Sequence, residues 1–314
     1  MANPRVTVLT GGVGGARFLQ GLVEVVDPGA VTIVGNVGDD LEPYGLHVSP
    51  DLDTVLYTLT GRIDPDRGWG VRGDTPRALE QARMLGADAW FWLGDLDLGL
   101  HLARTELLRA GRTLSAATAR LAEAMGLRAT LLPVTDDRLR TMVTIPDGEV
   151  DFQTYYVRRG HSDRVLGLRF EGAAAARPAP GVLEAIAAAD VVVIAPSNPF
   201  ISIDPILAVP GIRAAVAARR ERVVAVSPIV AGQALRGPAA AMLSSLGHEM
   251  SVVGVAQLYR TLASTLVIDD ADSPAVERVE RLGLRARVTA TVMANLEVSR
   301  ALATQTLAAG GFTP

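Results

Sequence analysis

The chain has 314 residues, of which 49% are hydrophobic and 20% are charged, and its formal net charge at pH 7 is −4. These proportions are typical of a folded globular protein and exclude a disordered chain. Because 30 Lys and Arg residues oppose 34 Asp and Glu residues, we expect no nucleic-acid partner, although a local anion site remains open. The absence of cysteine excludes disulfides, thiolate nucleophiles and cysteine-based metal sites.

The sequence shows neither a targeting segment nor a membrane span. The first strand pattern begins at Val6, after a short polar start without an apolar stretch. No apolar run reaches the roughly 20 residues that span a bilayer. We therefore expect a cytoplasmic protein with no membrane partner.

Short apolar strand patterns alternate with helical patterns along most of the chain. Because the strands are apolar on both faces, they predict a Rossmann-like, doubly wound α/β fold, with a mainly parallel sheet and helices on both faces. The predicted strands are 6–10, 31–34, 89–93, 190–195, 223–226 and 287–291, with further apolar runs at 251–256 and 265–268. The predicted helices are 18–26, 54–60, 76–85, 101–109, 114–125, 211–221, 238–246 and 295–308.

The pattern changes between about residues 128 and 172. Short alternating strands are predicted there, at 129–133, 140–145, 150–157 and 164–170, with turns such as Asp147-Gly148. This texture predicts a small antiparallel β insertion within a single domain that covers residues 1–314.

A glycine-rich loop, Gly11-Gly12-Val13-Gly14-Gly15-Ala16-Arg17, joins the first strand to the first helix. Glycines let backbone amides approach an anion at a helix N-terminus, and Arg17 adds a guanidinium for phosphate. The ordinary first turn of any Rossmann protein remains an alternative. The loop is not a clean dinucleotide fingerprint, because Arg17 occupies the third glycine position, and no Gly-Lys-Ser/Thr follows as in a Walker sequence.

Aspartates are concentrated on loops that the pattern places at strand ends. In doubly wound sheets such loops converge on one ligand site. Several carboxylates there would repel one another and a phosphate unless a divalent cation intervened, and Mg²⁺ binds carboxylates, water and phosphate oxygens. For Asp53 alone, a helix-capping role remains open. The pairs are Asp39 and Asp40, Asp51 and Asp53, and Asp95 and Asp97.

Two later loops offer small polar side chains. Ser197, Asn198 and Ser227 follow buried strands, where they suit hydrogen bonds to a ring, ribose or phosphate, or serve only as structural turns. His101 lies one helical turn beyond Asp97, so it either reaches substrate or lies on the helix surface.

Six segments in this order carry a resemblance to a known family: 11–19, 36–40, 49–57, 63–70, 195–199 and 226–229. They closely resemble the 2-phospho-L-lactate transferase family, including its bacterial phosphoenolpyruvyl transferase members. The resemblance covers nearly the whole chain. The string around Asp51 and Asp53, followed by Gly68-Trp69-Gly70, is its most specific part.

The resemblance implies a homodimeric, Mg²⁺-dependent transferase of coenzyme F(420) biosynthesis. Such an enzyme moves a phospholactyl or phosphoenolpyruvyl group from a guanosine diphosphate donor to the ribityl hydroxyl of 7,8-didemethyl-8-hydroxy-5-deazariboflavin, a deazaflavin alcohol, and releases GMP. The implied catalytic residues are Asp51, Asp53 and Asp95, and the implied metal ligands are Asp39, Asp40, Asp51 and Asp53. The implied substrate or nucleotide contacts are Gly11, Gly12, Gly14, Gly15, Arg17, Asn36, Asp97, His101, Ser197, Asn198 and Ser227.

Which aspartate takes which role stays open at this point. The chain differs from the family pattern at Leu96, where many members carry Arg, and at Asp204, where Gly is usual. Two other functions also remain open: a nicotinamide-dependent dehydrogenase, against which the missing third glycine counts, and a nucleotide-sugar-binding regulatory protein of related fold. The regulator would not need the acceptor pocket implied by the Asp51, Asp53 and Trp69 segments.

Overall fold

Twelve strands are present in the computed structural model, which describes residues 4–234 and 237–312. The start of the chain, residues 1–3, lies outside these ranges. The strands are β1 (Val6–Thr10), β2 (Val31–Gly35), β3 (Thr130–Pro133), β4 (Arg140–Ile145), β5 (Gly148–Asp151), β6 (Gly167–Glu171), β7 (Val191–Ile194), β8 (Val223–Val226), β9 (Ile229–Val230), β10 (Gln233–Ala234), β11 (Thr265–Ile268) and β12 (Arg285–Val288).

Seven of these strands form one parallel sheet in the order β12-β11-β8-β7-β1-β2-β3. Every residue of β1, β7, β8 and β11 is buried, as expected for strands that are apolar on both faces. The strand order reverses between β1 and β7. The expectation of a doubly wound, Rossmann-like parallel sheet is therefore confirmed.

Helices surround this sheet. They are α1 (Gly12–Leu22), α2 (Pro50–Leu59), α3 (Arg77–Met84), α4 (Asp95–Arg109), α5 (Leu114–Met125), α6 (Val182–Ala188), α7 (Asp204–Ala208), α8 (Ile212–Ala218), α9 (Ala239–Ser245), α10 (Val252–Tyr259), α11 (Val276–Glu280) and α12 (Leu296–Ala309). Within the described ranges, no single helix is long and apolar enough to cross a bilayer. Only the bent pair Pro199–Ala208 and Ile212–Ala218, at 97°, meets that composition.

The small antiparallel sheet has the order β5-β4-β6, and it begins later than the sequence indicates. The assignment of 129–133 to it is wrong, because β3 pairs in parallel with β2 at the edge of the main sheet. The strand predicted at 150–157 ends at Asp151, whose carboxylate accepts the Thr154 amide at 3.0 Å and starts the helical turn Thr154–Arg158.

The strand predicted at 89–93 is also wrong. The hydroxyl of Tyr44 donates to Phe91 O at 2.8 Å and accepts from Phe91 N at 3.0 Å, so a side chain satisfies backbone groups that a neighbouring strand would otherwise pair. Phe91 and Leu93 pack with Val48 in a small hydrophobic cluster apart from the main core. An apolar aromatic run here marks a local cluster, not a sheet strand.

Several other element bounds or types differ from those expected from the sequence, and α1 spans Gly12–Leu22 rather than 18–26. α2 begins at Pro50 and α4 at Asp95, several residues earlier than predicted. The apolar run at 251–256 belongs to α10, whose start is capped by Ser251. The last strand is shifted to Arg285–Val288. The earlier starts place Asp51, Asp53, Asp95 and Asp97 in the first turns of helices rather than on free loops.

Close packing of α1 against α12 holds the glycine-rich turn in place. A Cβ atom at Gly21 would lie 2.2 Å from the carbonyl oxygen of Ser299, so α1 can approach α12 only with glycine at this position. Since α1 begins at the glycine loop, this contact also fixes the direction in which its N-terminus points.

We expect Gly21→Ala to lower the free energy of unfolding by about 1–3 kcal/mol, because the added methyl group meets backbone that cannot move freely. The matched control is Gly99→Ala in α4, where a Cβ atom has no neighbour within 4 Å. There the change should raise stability by up to about 1 kcal/mol through helix propensity. Urea unfolding of both variants checks this, and equal midpoints would contradict it.

Candidate active site

An open cleft of about 860 Å³ lies beyond the C-terminal ends of the central strands. It lies where the strand order reverses between β1 and β7, the position at which open α/β sheets bind ligands. Of the residues that the sequence singled out, the cleft is lined by Gly11, Gly12, Gly14, Arg17, Asp39, Asp51, Asp53, Asp97, His101, Ser197, Asn198 and Ser227. Gly15, Asn36, Asp40 and Asp95 lie outside this lining.

The glycine loop forms one wall of the cleft at the start of α1. Gly12 has φ of 68°, in the left-handed region that favours glycine. A Cβ atom at Gly14 would lie 2.4 Å from Pro196 O, so the loops after β1 and β7 touch. Gly15 is buried beneath the loop. The Arg17 guanidinium donates to Met293 O at 3.5 Å, and both residues line the cleft.

The three later polar residues secure the loops on which they lie. Ser197 Oγ donates to Gly11 O at 2.7 Å and accepts from Gly11 N at 3.3 Å, which ties the loop after β7 to the glycine loop. Asn198 Oδ1 accepts from Phe200 N at 3.0 Å, and Ser227 Oγ accepts from Ile229 N at 3.1 Å. These bonds use part of each side chain for turn structure while it still faces the cleft.

Asn36 joins two buried carboxylates beside the glycine loop. Its Nδ2 donates to Asp39 Oδ1 at 2.7 Å and to Asp51 Oδ2 at 2.9 Å, so both acids converge on one nitrogen. Asp51 Oδ1 accepts from Gly12 N at 2.6 Å, which places this carboxylate at the N-terminus of α1. The sequence correctly places these acids beside the loop, although it does not reveal how Asn36 joins them.

The environment of this pair disfavours two ionised carboxylates. Burial raises the pKa of Asp51 to about 7, against the hydrogen bonds from Asn36 and Gly12 and with the charges of Asp40 and Asp53 adding to the rise. Burial, followed by the charge of Asp51, raises the pKa of Asp39 well above its ordinary value. Two buried acids that resist ionisation together would ionise readily beside a cation.

Asp40 lies outside the cleft lining. Its Oδ2 accepts from Ser49 Oγ at 2.7 Å and lies 3.1 Å from His47 Nε2. Burial raises the pKa of Asp40, although His47, Ser49 and Arg104 each act to lower it. The structure thus separates Asp39 from Asp40, which the sequence grouped as metal ligands.

Asp53 is held by an arginine that the sequence analysis did not single out. Arg104, on α4, is fully buried and binds both carboxylate oxygens: Nη1 donates to Oδ2 at 3.0 Å, and Nη2 contacts Oδ1. The amide of Ser49 donates to the same Oδ2 at 3.2 Å. Asp53 therefore both caps the start of α2, through the amide of the N-cap residue Ser49, and forms a buried ion pair with Arg104.

A second contact between the same helices involves Tyr57, Asp97 and His101. The Tyr57 hydroxyl donates to Asp97 Oδ1 at 2.6 Å, and His101 Nε2 lies 3.1 Å from that oxygen. His101 is 1% exposed, so the alternative of a helix-surface histidine is wrong. Although burial acts in the opposite direction, His101 and Tyr57 lower the pKa of Asp97. Asp97, His101 and Arg104 share one face of α4 through spacings of four and seven residues, a signal that was present in the sequence.

Asp95 has a structural position outside the cleft. Its Oδ1 accepts the Ala78 amide at 3.0 Å and its Oδ2 accepts from Thr75 Oγ1 at 2.5 Å, beside the start of α3. Asp74 in turn accepts the amides of Leu96 and Asp97 at the start of α4. Asp95 therefore caps the start of α3, and Asp74 caps the start of α4. This geometry favours a structural role for Asp95.

Part of the cleft lining is aromatic. Trp69 and Trp92 form an edge-to-face pair with ring centroids 5.3 Å apart. The side chains of Phe152, Tyr156 and His161 stack in sequence, with neighbouring centroids 5.3 and 4.9 Å apart. All five residues line the cleft. A flat ring system fits between apolar faces of this kind.

The two positions that differ from the family pattern lie away from this cleft. The Leu96 side chain is exposed on α4 and does not line the cleft. Asp204 Oδ1 pairs with Arg213 at 3.0 Å beside the start of α7. Neither change alters the acids and amides described above.

Comparison with known proteins identifies the family of this chain. A family model described as 2-phospho-L-lactate transferase CofD matches residues 6–305. A phosphoenolpyruvate transferase from Streptomyces griseus is 44% identical over 309 residues, covering 96% of this chain and 97% of the relative. A 2-phospho-L-lactate transferase from Methanococcoides burtonii is 38% identical over 295 residues, covering 94% of this chain and 96% of the relative.

A solved structure supports the fold. A member of the UPF0052 family from Bacillus halodurans superposes with a TM-score of 0.64 at 19% identity, covering 96% of this chain and 99% of that one. At this identity the likeness concerns the fold alone. The full-length family match and the two relatives carry the assignment: this chain belongs to the 2-phospho-L-lactate transferase CofD family and is a transferase of coenzyme F(420) biosynthesis.

Proposed function

We propose that the protein transfers a phospholactyl or phosphoenolpyruvyl group from a guanosine diphosphate donor to the ribityl hydroxyl of 7,8-didemethyl-8-hydroxy-5-deazariboflavin, with GMP leaving. The observation that carries the proposal is that one cleft is lined both by the glycine loop with Asp39 and Asp51 and by two groups of aromatic rings. The amides of the glycine loop suit a diphosphate, and the aromatic faces suit a deazaflavin ring.

Magnesium fits the carboxylates beside the glycine loop. Asp39 and Asp51 converge on Asn36, and both have raised pKa values as the free acids. Among the described residues, no three His, Asp or Glu side chains form a complete metal site. Mg²⁺ commonly takes one or two carboxylates and completes its shell with water and substrate phosphate. When bound, it would neutralise charge on the donor's phosphates, with Asp39 and Asp51 as its protein ligands.

The remaining chemistry falls to the chain's own groups. The first turn of α1 orients the phosphates through backbone amides and the helix dipole. Arg17, which lines the same wall, adds a guanidinium for a phosphate or carboxylate oxygen. The acceptor hydroxyl attacks phosphorus in line with GMP, and an aspartate near that hydroxyl accepts its proton. Positioning and charge neutralisation carry such a transfer, so the absence of thiols is no obstacle.

Product analysis tests the proposed reaction. We expect purified protein, incubated with the deazaflavin alcohol, Mg²⁺ and the guanosine diphosphate derivatives of lactate, enolpyruvate or glycerate in turn, to form the phosphodiester adduct and GMP with at least one donor. Mass spectrometry detects both products. If no donor reacts while the protein binds NAD(H) or a sugar nucleotide, the dehydrogenase or the regulatory function would replace this proposal.

Replacing Asp51 tests the metal assignment. We expect Asp51→Asn to lower turnover by about 100-fold or more, because the change removes a ligand and leaves the α1 N-terminus facing a neutral amide. The matched control is Asp136→Asn, since Asp136 also accepts a backbone amide, that of Ser115 at 2.6 Å, but lies outside the cleft lining. Turnover of the control should stay within about threefold of wild type. Wild-type turnover and Mg²⁺ dependence in Asp51→Asn would reject the assignment.

The raised pKa of Asp51 also makes stability depend on pH. Because the folded protein holds this proton up to a pKa of about 7, the metal-free protein should lose stability as pH rises from about 5 to 8. Adding Mg²⁺ at pH 8 should restore it by binding the ionised form. Urea unfolding in EDTA or Mg²⁺ measures both effects. Asp51→Asn should show a smaller pH slope, and an unchanged slope would contradict this origin.

The homodimer that the resemblance implies and the cytoplasmic location expected from the sequence remain predictions. So does the division of the sequence-derived contacts between the nucleotide and the acceptor.

A further inference from the structure

Arg104 is a buried cation beside Asp53, whose side chain lines the cleft. It rises from α4, has no exposed surface, and forms a two-pronged ion pair with Asp53 on α2. Its Nη1 also lies 3.5 Å from His47 O. A buried guanidinium in this geometry fixes the orientation of a carboxylate as well as its charge.

The cleft acids differ in the partners that hold them. Asp53 is bound through both carboxylate oxygens by the Arg104 guanidinium. Asp39 and Asp51, by contrast, accept hydrogen bonds from the Asn36 side-chain amide, and Asp51 also accepts from the Gly12 backbone amide. Asp53 therefore has a charged partner, whereas these hydrogen bonds of Asp39 and Asp51 come from uncharged amides.

We propose that Arg104 is a positioning residue that neutralises Asp53 and withholds it from the metal, which leaves Asp39 and Asp51 to face the cation and the donor phosphates. The idea rests on the proposed function for the nature of the donor. It assigns Asp53 a supporting place although its sequence motif, Asp51-Leu52-Asp53, makes the two acids look equivalent.

The two single variants of this pair change the buried charge in opposite directions. Arg104→Met leaves a buried carboxylate free to turn toward the cleft, so one negative charge is added beside the diphosphate. Asp53→Asn leaves the buried Arg104 guanidinium without its carboxylate, so one positive charge is in excess. The double variant Asp53→Asn/Arg104→Met is neutral again, as the wild-type pair is, and it keeps two side chains of similar length.

The experiment compares wild type and these three variants by calorimetric titration with GDP in Mg²⁺. We expect Arg104→Met to raise the Kd for GDP about tenfold, through repulsion in a low-dielectric site. The double variant should return to within about threefold of wild type. An ion pair that served only to hold α2 against α4 would behave differently. Its loss would change the unfolding midpoint of the variants but leave their Kd for GDP at the wild-type value.

Mn²⁺ titration followed by electron paramagnetic resonance asks separately whether Asp53 binds metal. The double variant should keep the wild-type Mn²⁺ Kd within threefold, whereas Asp51→Asn should raise it at least tenfold. A double variant that binds Mn²⁺ or GDP as weakly as its weaker parent would overturn the proposal, because Asp53 would then act on the ligand directly.

Urea unfolding covers the case in which Arg104→Met does not fold. Recovery of folding in the double variant would support the neutralising role, and failure of the double variant as well would count against it. If the wild-type protein itself did not bind GDP, the proposed donor would be rejected, while the Mn²⁺ and unfolding comparisons would still decide the place of Arg104.

Discussion

Four aspartates, Asp39, Asp51, Asp53 and Asp97, lie buried along one edge of the parallel sheet. An ionised carboxylate inside a protein is costly unless partners replace the water that it loses. Many of the side chains and amides around the cleft serve as the hydrogen-bonding or charged partners that these four acids require. This constraint explains why helices that are distant in sequence meet here.

The partners differ in kind, and the difference divides the site. Asp53 receives a guanidinium, and Asp97 receives a hydroxyl and an imidazole, all from the facing surfaces of α2 and α4. Asp51 receives a backbone amide at a helix N-terminus together with the Asn36 amide that it shares with Asp39. A permanent charge stabilises Asp53, whereas uncharged amides hold Asp39 and Asp51. Under the proposed function, this last pair is where a bound cation would contribute most.

Much of the fold follows from local patterns, because short runs such as 191–194 and 223–226 are apolar on both faces, the pattern typical of interior parallel strands. A strand prediction fails where a side chain, not a neighbouring strand, forms the backbone hydrogen bonds, as the Tyr44 hydroxyl does for Phe91. The gathering of acids near the glycine loop was also predictable, because strand-end loops converge. Their partition was not. It depends on whether Arg104 reaches Asp53, a contact across 51 residues that no local period encodes.

The basic residues of the chain sharpen this picture, because the chain contains no lysine at all. Many phosphate sites use a flexible ammonium as a mobile point charge, as the Walker loop does. Here every permanent cation is a guanidinium, and the one nearest the acids, Arg104, is buried and directed at Asp53. Arg17 lines the wall of the cleft, but the α1 N-terminus beside it already holds the carboxylate of Asp51. A phosphate that approaches this turn meets the Asp51 carboxyl group, not a lysine. Under the proposed function, a divalent cation would offset the charge of this group when a diphosphate binds, and that role would link the glycines of the first turn to the aspartates at the start of α2.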